Sequence, residues 1–191
     1  MQKRYDLCFV TALVLLTLAS VSEVLANGAY PDPLGGSGGS PYEDKCMPGD
    51  YLVGFDYWSG KALNGMRPKC AALRDGKWAG GLYSKEMRGS APCTDSGFFC
   101  IDPVDRSVTC PRDQFVTSFH VWWDNFGIVH HFRMNCHSED RTSKASFTTE
   151  NEGGEPNHDR GVACPIGMLA FGVHGRSGAL IDSIGPICRD P

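Results

Sequence analysis

The residues of this chain best equipped for chemistry are its nine cysteines and a group of histidines at His120, His130, His131 and His137. Imidazoles in that number could bind a transition metal, but on an extended strand His130 and His131 point to opposite faces and cannot share one ion. Thiolates could hold zinc, yet no C-x-x-C pair occurs and the cysteines stand too far apart in sequence for a zinc site. Scattered Asp and Glu supply carboxylates, but a glycosidase pair is defined by a separation in space that spacing in sequence does not give. No G-x-S-x-G or H-E-x-x-H motif is present. The expectation is a protein without catalysis, metal or cofactor.

The cysteines instead mark an internal repeat. Three segments open and close on cysteine: 46–70, 110–136 and 164–188. Nine positions after each opening cysteine stand Phe55, Phe119 and Val173. Seven before each closing cysteine stand Leu63, Val129 and Ile181, and four before it Met66, Phe132 and Ile184. A shared apolar register at both ends requires each segment to bury the same positions. Each repeat is therefore expected to close on itself, as Cys46–Cys70, Cys110–Cys136 and Cys164–Cys188, leaving Cys93 with Cys100. With no cysteine free, a thiol nucleophile is not expected.

Disulfides require an oxidising compartment, and residues 1–26 supply the route. Lys3 and Arg4 precede the apolar run Leu7–Val21, and Val24-Leu25-Ala26 forms a small-residue cleavage site. The run is shorter than the roughly 20 apolar residues of a membrane span, so the reading is a removed signal peptide, a secreted product and no membrane insertion. Removal of Cys8 leaves an even set of eight cysteines. The formal net charge of −4 includes no basic cluster, which argues against nucleic acid as a partner.

Residues 27–45 are rich in Gly, Pro and Ser and read as a flexible arm; residues 46–191 form one domain. Tyr51–Phe55, Gln114–Trp123 and Met168–Val173 carry strand composition, with turn residues at Ser59-Gly60, Asp124-Asn125 and Gly175–Gly178. No dozen residues hold a helical period free of Gly and Pro. Each repeat is expected to be two strands joined by a turn, and 141–161 a polar surface loop with one short strand at Ser146–Thr148. Of Trp122 and Trp123, on opposite faces, one is expected in the core.

Two stretches resemble known families. Cys46-Met47-Pro48-Gly49 with Ala62-Leu63-Asn64-Gly65-Met66-Arg67-Pro68-Lys69-Cys70 is similar to the repeat of vitelline membrane outer layer proteins, and Gly76-Lys77-Trp78 to their inter-repeat segments. Gly175 to Gly185 (GRSGALIDSIG) resembles the closing segment of jacalin-type lectins. The third repeat lacks the A-L-N-G close, and the second has Val129-His130-His131-Phe132 in its place. Both families are β-prisms, so the resemblance implies an all-β fold of three Greek-key repeats around a pseudo-threefold axis.

The jacalin likeness also implies a site. In sugar-binding jacalins a G-x-x-x-D loop grips a hexose: the aspartate accepts from two hydroxyls, and glycine lets backbone amides approach the ring. Gly178 and Asp182 match that spacing, with Gly175 opening the loop. By register the first repeat offers Gly60 and Asn64, an amide in place of the carboxylate, and the second offers Phe126 and His130, which do not suit a sugar. The competing view is that Gly175–Gly178 is only a hairpin turn and Asp182 serves neighbouring amides. The resemblance also calls for an N-terminal glycine loop beside the aspartate, for which Gly35-Gly36 and Gly38-Gly39 are the available residues.

The sequence thus leads to a secreted, monomeric, non-enzymatic protein of an extracellular layer (egg coat, shell matrix or mucus) that contacts extracellular glycans or matrix components. A soluble jacalin-like lectin is the alternative, and a polysaccharide-acting enzyme a further one.

Overall fold

The computed structural model describes residues 28–90, 104–149 and 155–191, so the signal segment and the Cys93–Cys100 pair lie outside the described residues. The chain forms three antiparallel sheets. In the first, β3 (Asp50–Ser59) and β4 (Leu63–Arg74) make a hairpin, β5 (Lys77–Ser84) extends it, and β7 (Val104–Thr109) returns to pair with β3. A two-residue strand β6 (Arg88–Gly89) also pairs β4. In the second, β8 (Phe115–Trp123), β9 (Val129–His137) and β10 (Lys144–Thr148) follow in order, and β11 (His158–Ala163) returns to β8. Each has three consecutive strands with the fourth beside the first, a Greek key. The third sheet has the same order but draws on both ends of the chain: β12 (Leu169–Ser177) and β13 (Ile181–Arg189) are flanked by β2 (Ser40–Lys45) and β1 (Leu34–Gly35). This is the expected β-prism.

The repeat register is the core. Phe55, Phe119, Val173, Leu63, Val129, Ile181, Met66, Phe132 and Ile184 are all buried in one cluster. At its centre Phe55, Phe119 and Phe132 meet edge to face, with centroids 5.1–5.8 Å apart, the arrangement that ring quadrupoles favour. Cys46–Cys70, Cys110–Cys136 and Cys164–Cys188 are all formed, one per repeat. In the chain-entropy picture each closed loop of about 25 residues contributes roughly 3.5 kcal/mol.

The structure departs from the sequence reading at the N-terminus. Within 27–45, read as a flexible arm, Ala29 bridges Cys188 and β1 and β2 complete the third sheet. The cause is the edges of β12 and β13, whose unpaired backbone groups need partners. Tyr42 and Asp44, alternating along β2, are buried. Asp44 accepts two bonds from Arg88, 2.7 Å from Nε and 2.6 Å from Nη2, and so ties the third sheet to the first. Likewise β11 occupies the end of the stretch read as loop, while the short strand near Ser146–Thr148 is present as β10. Among the described residues, no helix is long and apolar enough to cross a membrane.

Candidate functional site

The β12–β13 hairpin closes through Ser177 opposite Ile181, with the Gly178 N–H donating to the Leu180 carbonyl at 3.0 Å. Asp182 follows on β13, partly exposed. The segment leaving β1 passes directly over it: the Gly36 N–H donates to the Asp182 carbonyl (2.7 Å) and to the Gly127 carbonyl at the β8–β9 tip (2.9 Å). The chain then lays Gly38 and Gly39 against the carboxylate. A methyl on Gly38 would overlap Asp182 Oδ1. One on Gly39, whose φ is +57°, would come within 2.6 Å of Oδ2 and strike the Ser177 backbone. Only glycine fits at either position.

One oxygen of the carboxylate so enclosed is left over. Oδ2 is buried and has no hydrogen-bond partner within the protein, an arrangement that costs about 1–3 kcal/mol. Burial pushes the Asp182 carboxyl above its ordinary value, while the nearby Gly178 amide and the Arg176 charge pull it back. Neither the Gly38 nor the Gly39 N–H is taken by a backbone carbonyl among the described residues. The site therefore sets an unengaged carboxylate oxygen beside a loop with two N–H groups that no backbone carbonyl takes. A hydroxyl, which both donates and accepts, satisfies such a pair; a simple cation or anion satisfies only half of it.

The two sister hairpins are closed. Gly60 donates its N–H to Asn64 Oδ1 (3.0 Å) and Asn64 is buried, its carbonyl held by the Ser90 N–H. The amide expected as a degenerate sugar ligand thus locks its own turn. His130 is also buried, with Nε2 3.2 Å from Asp124 Oδ2, while Asp124 Oδ1 accepts from Phe126 and Ile128 N–H. His130 lies at the register shift between Trp122 and Trp123, the place that Asn64 and Asp182 take in their own hairpins. His131 stays on the outer face, stacked on Trp122 at 4.6 Å, and Trp123 packs against the core. Among the described residues no three His, Cys, Asp or Glu side chains are grouped to hold a metal.

Of the residues named from sequence, the structure brings Gly178 and Asp182 together with the Gly38-Gly39 loop. Gly175 does other work: it sits inside β12 opposite Tyr42, and a methyl there would strike the Ser183 carbonyl and approach the Tyr42 hydroxyl, which itself donates to that carbonyl at 3.1 Å. Sequence reasoning missed Arg176, which donates to the Gly38 and Gly39 carbonyls at 2.8 and 2.7 Å. It also missed Gly127, whose carbonyl anchors Gly36 beside Asp182. Neither contact has a local sequence signal, since the partners lie far apart in the chain.

No family model and no curated protein matches this sequence. Solved structures do match. Calsepa lectin, in complex with a biantennary N-glycan, superposes with a TM-score of 0.60 at 14% identity, over 88% of this chain and 100% of that one. Artocarpin, in complex with mannotriose, gives 0.58 at 15% identity, over 85% and 98%. Single-chain recombinant jacalin gives 0.59 at 10% identity, over 88% and 98%. At such identities the likeness concerns the fold, which is the jacalin-like β-prism. The resemblance to vitelline membrane outer layer proteins rests on the first repeat's motifs.

Proposed function

We propose that this chain is a secreted carbohydrate-binding protein that holds a hexose through Asp182, Gly178 and the Gly38-Gly39 loop. The observation that carries the reading is the state of Asp182. Its Oδ2 is buried without a partner and its carboxylate lies against Gly38 and Gly39, whereas the equivalent Asn64 Oδ1 holds the Gly60 N–H. Two sugar hydroxyls could donate to the carboxylate while accepting from the loop, and the absence of side chains on the loop lets the ring approach. The glycan complexes of Calsepa lectin and artocarpin support starting with mannose-containing ligands. Secretion rests on the leader, and we assign no catalytic step.

The lectin reading stands ahead of a purely architectural one, because a layer protein with no ligand has no use for a buried, unpartnered carboxylate oxygen. A role in an extracellular layer, supported by the first repeat's motifs, is compatible with it as the setting in which the glycan is met. The test is a glycan array probed with residues 27–191 and with the Asp182→Ala variant. Saturable binding lost in the variant supports the site, and binding that survives moves it elsewhere. No binding by folded, oxidised protein overturns the reading.

A further inference from the structure

The same site contains a residue that shapes it without lining it. Arg176 lies on β12, paired with Pro41 and Ser183, and its side chain reaches from the sheet to the loop over Asp182. Its guanidinium donates Nε–H to the Gly38 carbonyl at 2.8 Å and Nη2–H to the Gly39 carbonyl at 2.7 Å. A planar fork spanning two consecutive carbonyls fixes both peptide planes, which a lysine's single ammonium cannot do. In a trans peptide the N–H points opposite to the C=O. Holding the Gly38 carbonyl on Arg176 therefore turns the Gly39 N–H, which no backbone carbonyl takes, away from the guanidinium. Two glycines in succession have no conformational preference of their own to hold that orientation.

We propose that Arg176 is a positioning residue of this site: by clamping the Gly38 and Gly39 carbonyls it fixes the Gly38–Gly39 peptide plane and holds the Gly39 N–H in the geometry that a sugar hydroxyl bound to Asp182 requires. The inference rests on the glycan reading above. Its cation also lies near enough to Asp182 to favour the ionised carboxylate, so the test must separate charge from geometry.

The experiment compares wild type, Arg176→Lys, Arg176→Met and Asp182→Asn. Each is titrated calorimetrically with mannotriose, or with the strongest array ligand, and the amide order parameters of Gly38 and Gly39 are measured by NMR without ligand. The clamp predicts that Arg176→Met loses at least ~10-fold in affinity, as expected for one charge-assisted hydrogen bond. It predicts that Arg176→Lys, which keeps the charge but not the fork, stays clearly weaker than wild type. The order parameters of Gly38 and Gly39 should fall toward the flexible range below about 0.6 in Arg176→Met, with the melting temperature and the core signals unchanged. Wild-type affinity in Arg176→Met overturns the proposal. Wild-type affinity in Arg176→Lys overturns it in favour of charge alone. Either result, with wild type binding and Asp182→Asn not, leaves the glycan reading intact. A wild type that binds nothing removes both.

Discussion

Asp182 and Asn64 occupy the same position in two repeats, six residues before the closing cysteine, yet Asp182 keeps a buried Oδ2 without a partner while Asn64 Oδ1 accepts the Gly60 N–H. The Asn64 side chain is buried. In both hairpins the glycine N–H also donates to the carbonyl two residues on, Gly60 to Ala62 and Gly178 to Leu180. Asp182 differs in its unpartnered Oδ2, with Gly38 and Gly39 packed against its carboxylate.

The first consequence concerns stability. Asn64→Ala removes the Oδ1 acceptor of the Gly60 N–H, which keeps its bond to the Ala62 carbonyl. It should cost about 0.5–1.5 kcal/mol, the net worth of one hydrogen bond, read as a lowered denaturant midpoint. Ligand binding should be unchanged. A variant as stable as wild type would show that the first hairpin does not depend on its amide.

The glycine loop should be intolerant of any side chain. Gly39→Ala places a methyl 2.6 Å from Asp182 Oδ2 at a φ of +57°, which costs roughly 1–2 kcal/mol for an L-residue. Binding should fall at least ~10-fold, far more than the loss of stability implies. Calorimetric titration of the variant checks this, and an unchanged affinity would place the ligand away from the loop.

The acid side of the pH profile follows from burial of Asp182, which raises its carboxyl. Binding that needs the carboxylate should weaken as pH falls through this raised value, hence above the ordinary aspartate range near 3.9. The stability sign is the reverse of the usual one. In the window between the unfolded and the raised folded value, the native state holds more protons than the unfolded chain, so this group's contribution falls as pH rises. The free site thus costs stability at neutral pH, and Asp182→Asn should be no less stable than wild type. Affinity measured from pH 7 downward, with unfolding of both proteins, tests both signs.

The extent to which this architecture was legible depends on where the partners of each residue lie. The nine repeat positions, Phe55 to Ile184, showed themselves because each is set by its distance from a cysteine in its own segment. Gly178 and Asp182 were legible for the same reason. Tyr42 and Asp44 were not: two buried residues in a Gly/Pro/Ser-rich stretch give no strand signal, and what orders them is β12, about 130 residues later. His130 does take the place of Asp182 in the second repeat, at the same register shift, but its contact with Asp124 across the turn is one that no spacing rule reveals. The Gly35–Gly39 run shows most clearly that composition underdetermines structure. It reads as a flexible linker, yet each of its glycines except Gly36 meets Asp182 or Ser177 in a contact that excludes a side chain, and Gly36 meets Gly127.

The most direct test of the account is the affinity of folded, disulfide-intact protein for mannotriose and a biantennary N-glycan, measured beside Asp182→Asn. This change preserves shape and removes the charge. The account predicts saturable binding by wild type, its loss in the variant, and a melting temperature in the variant at or above wild type. Equal binding by the two proteins, or none by wild type to these and a full glycan array, would contradict it.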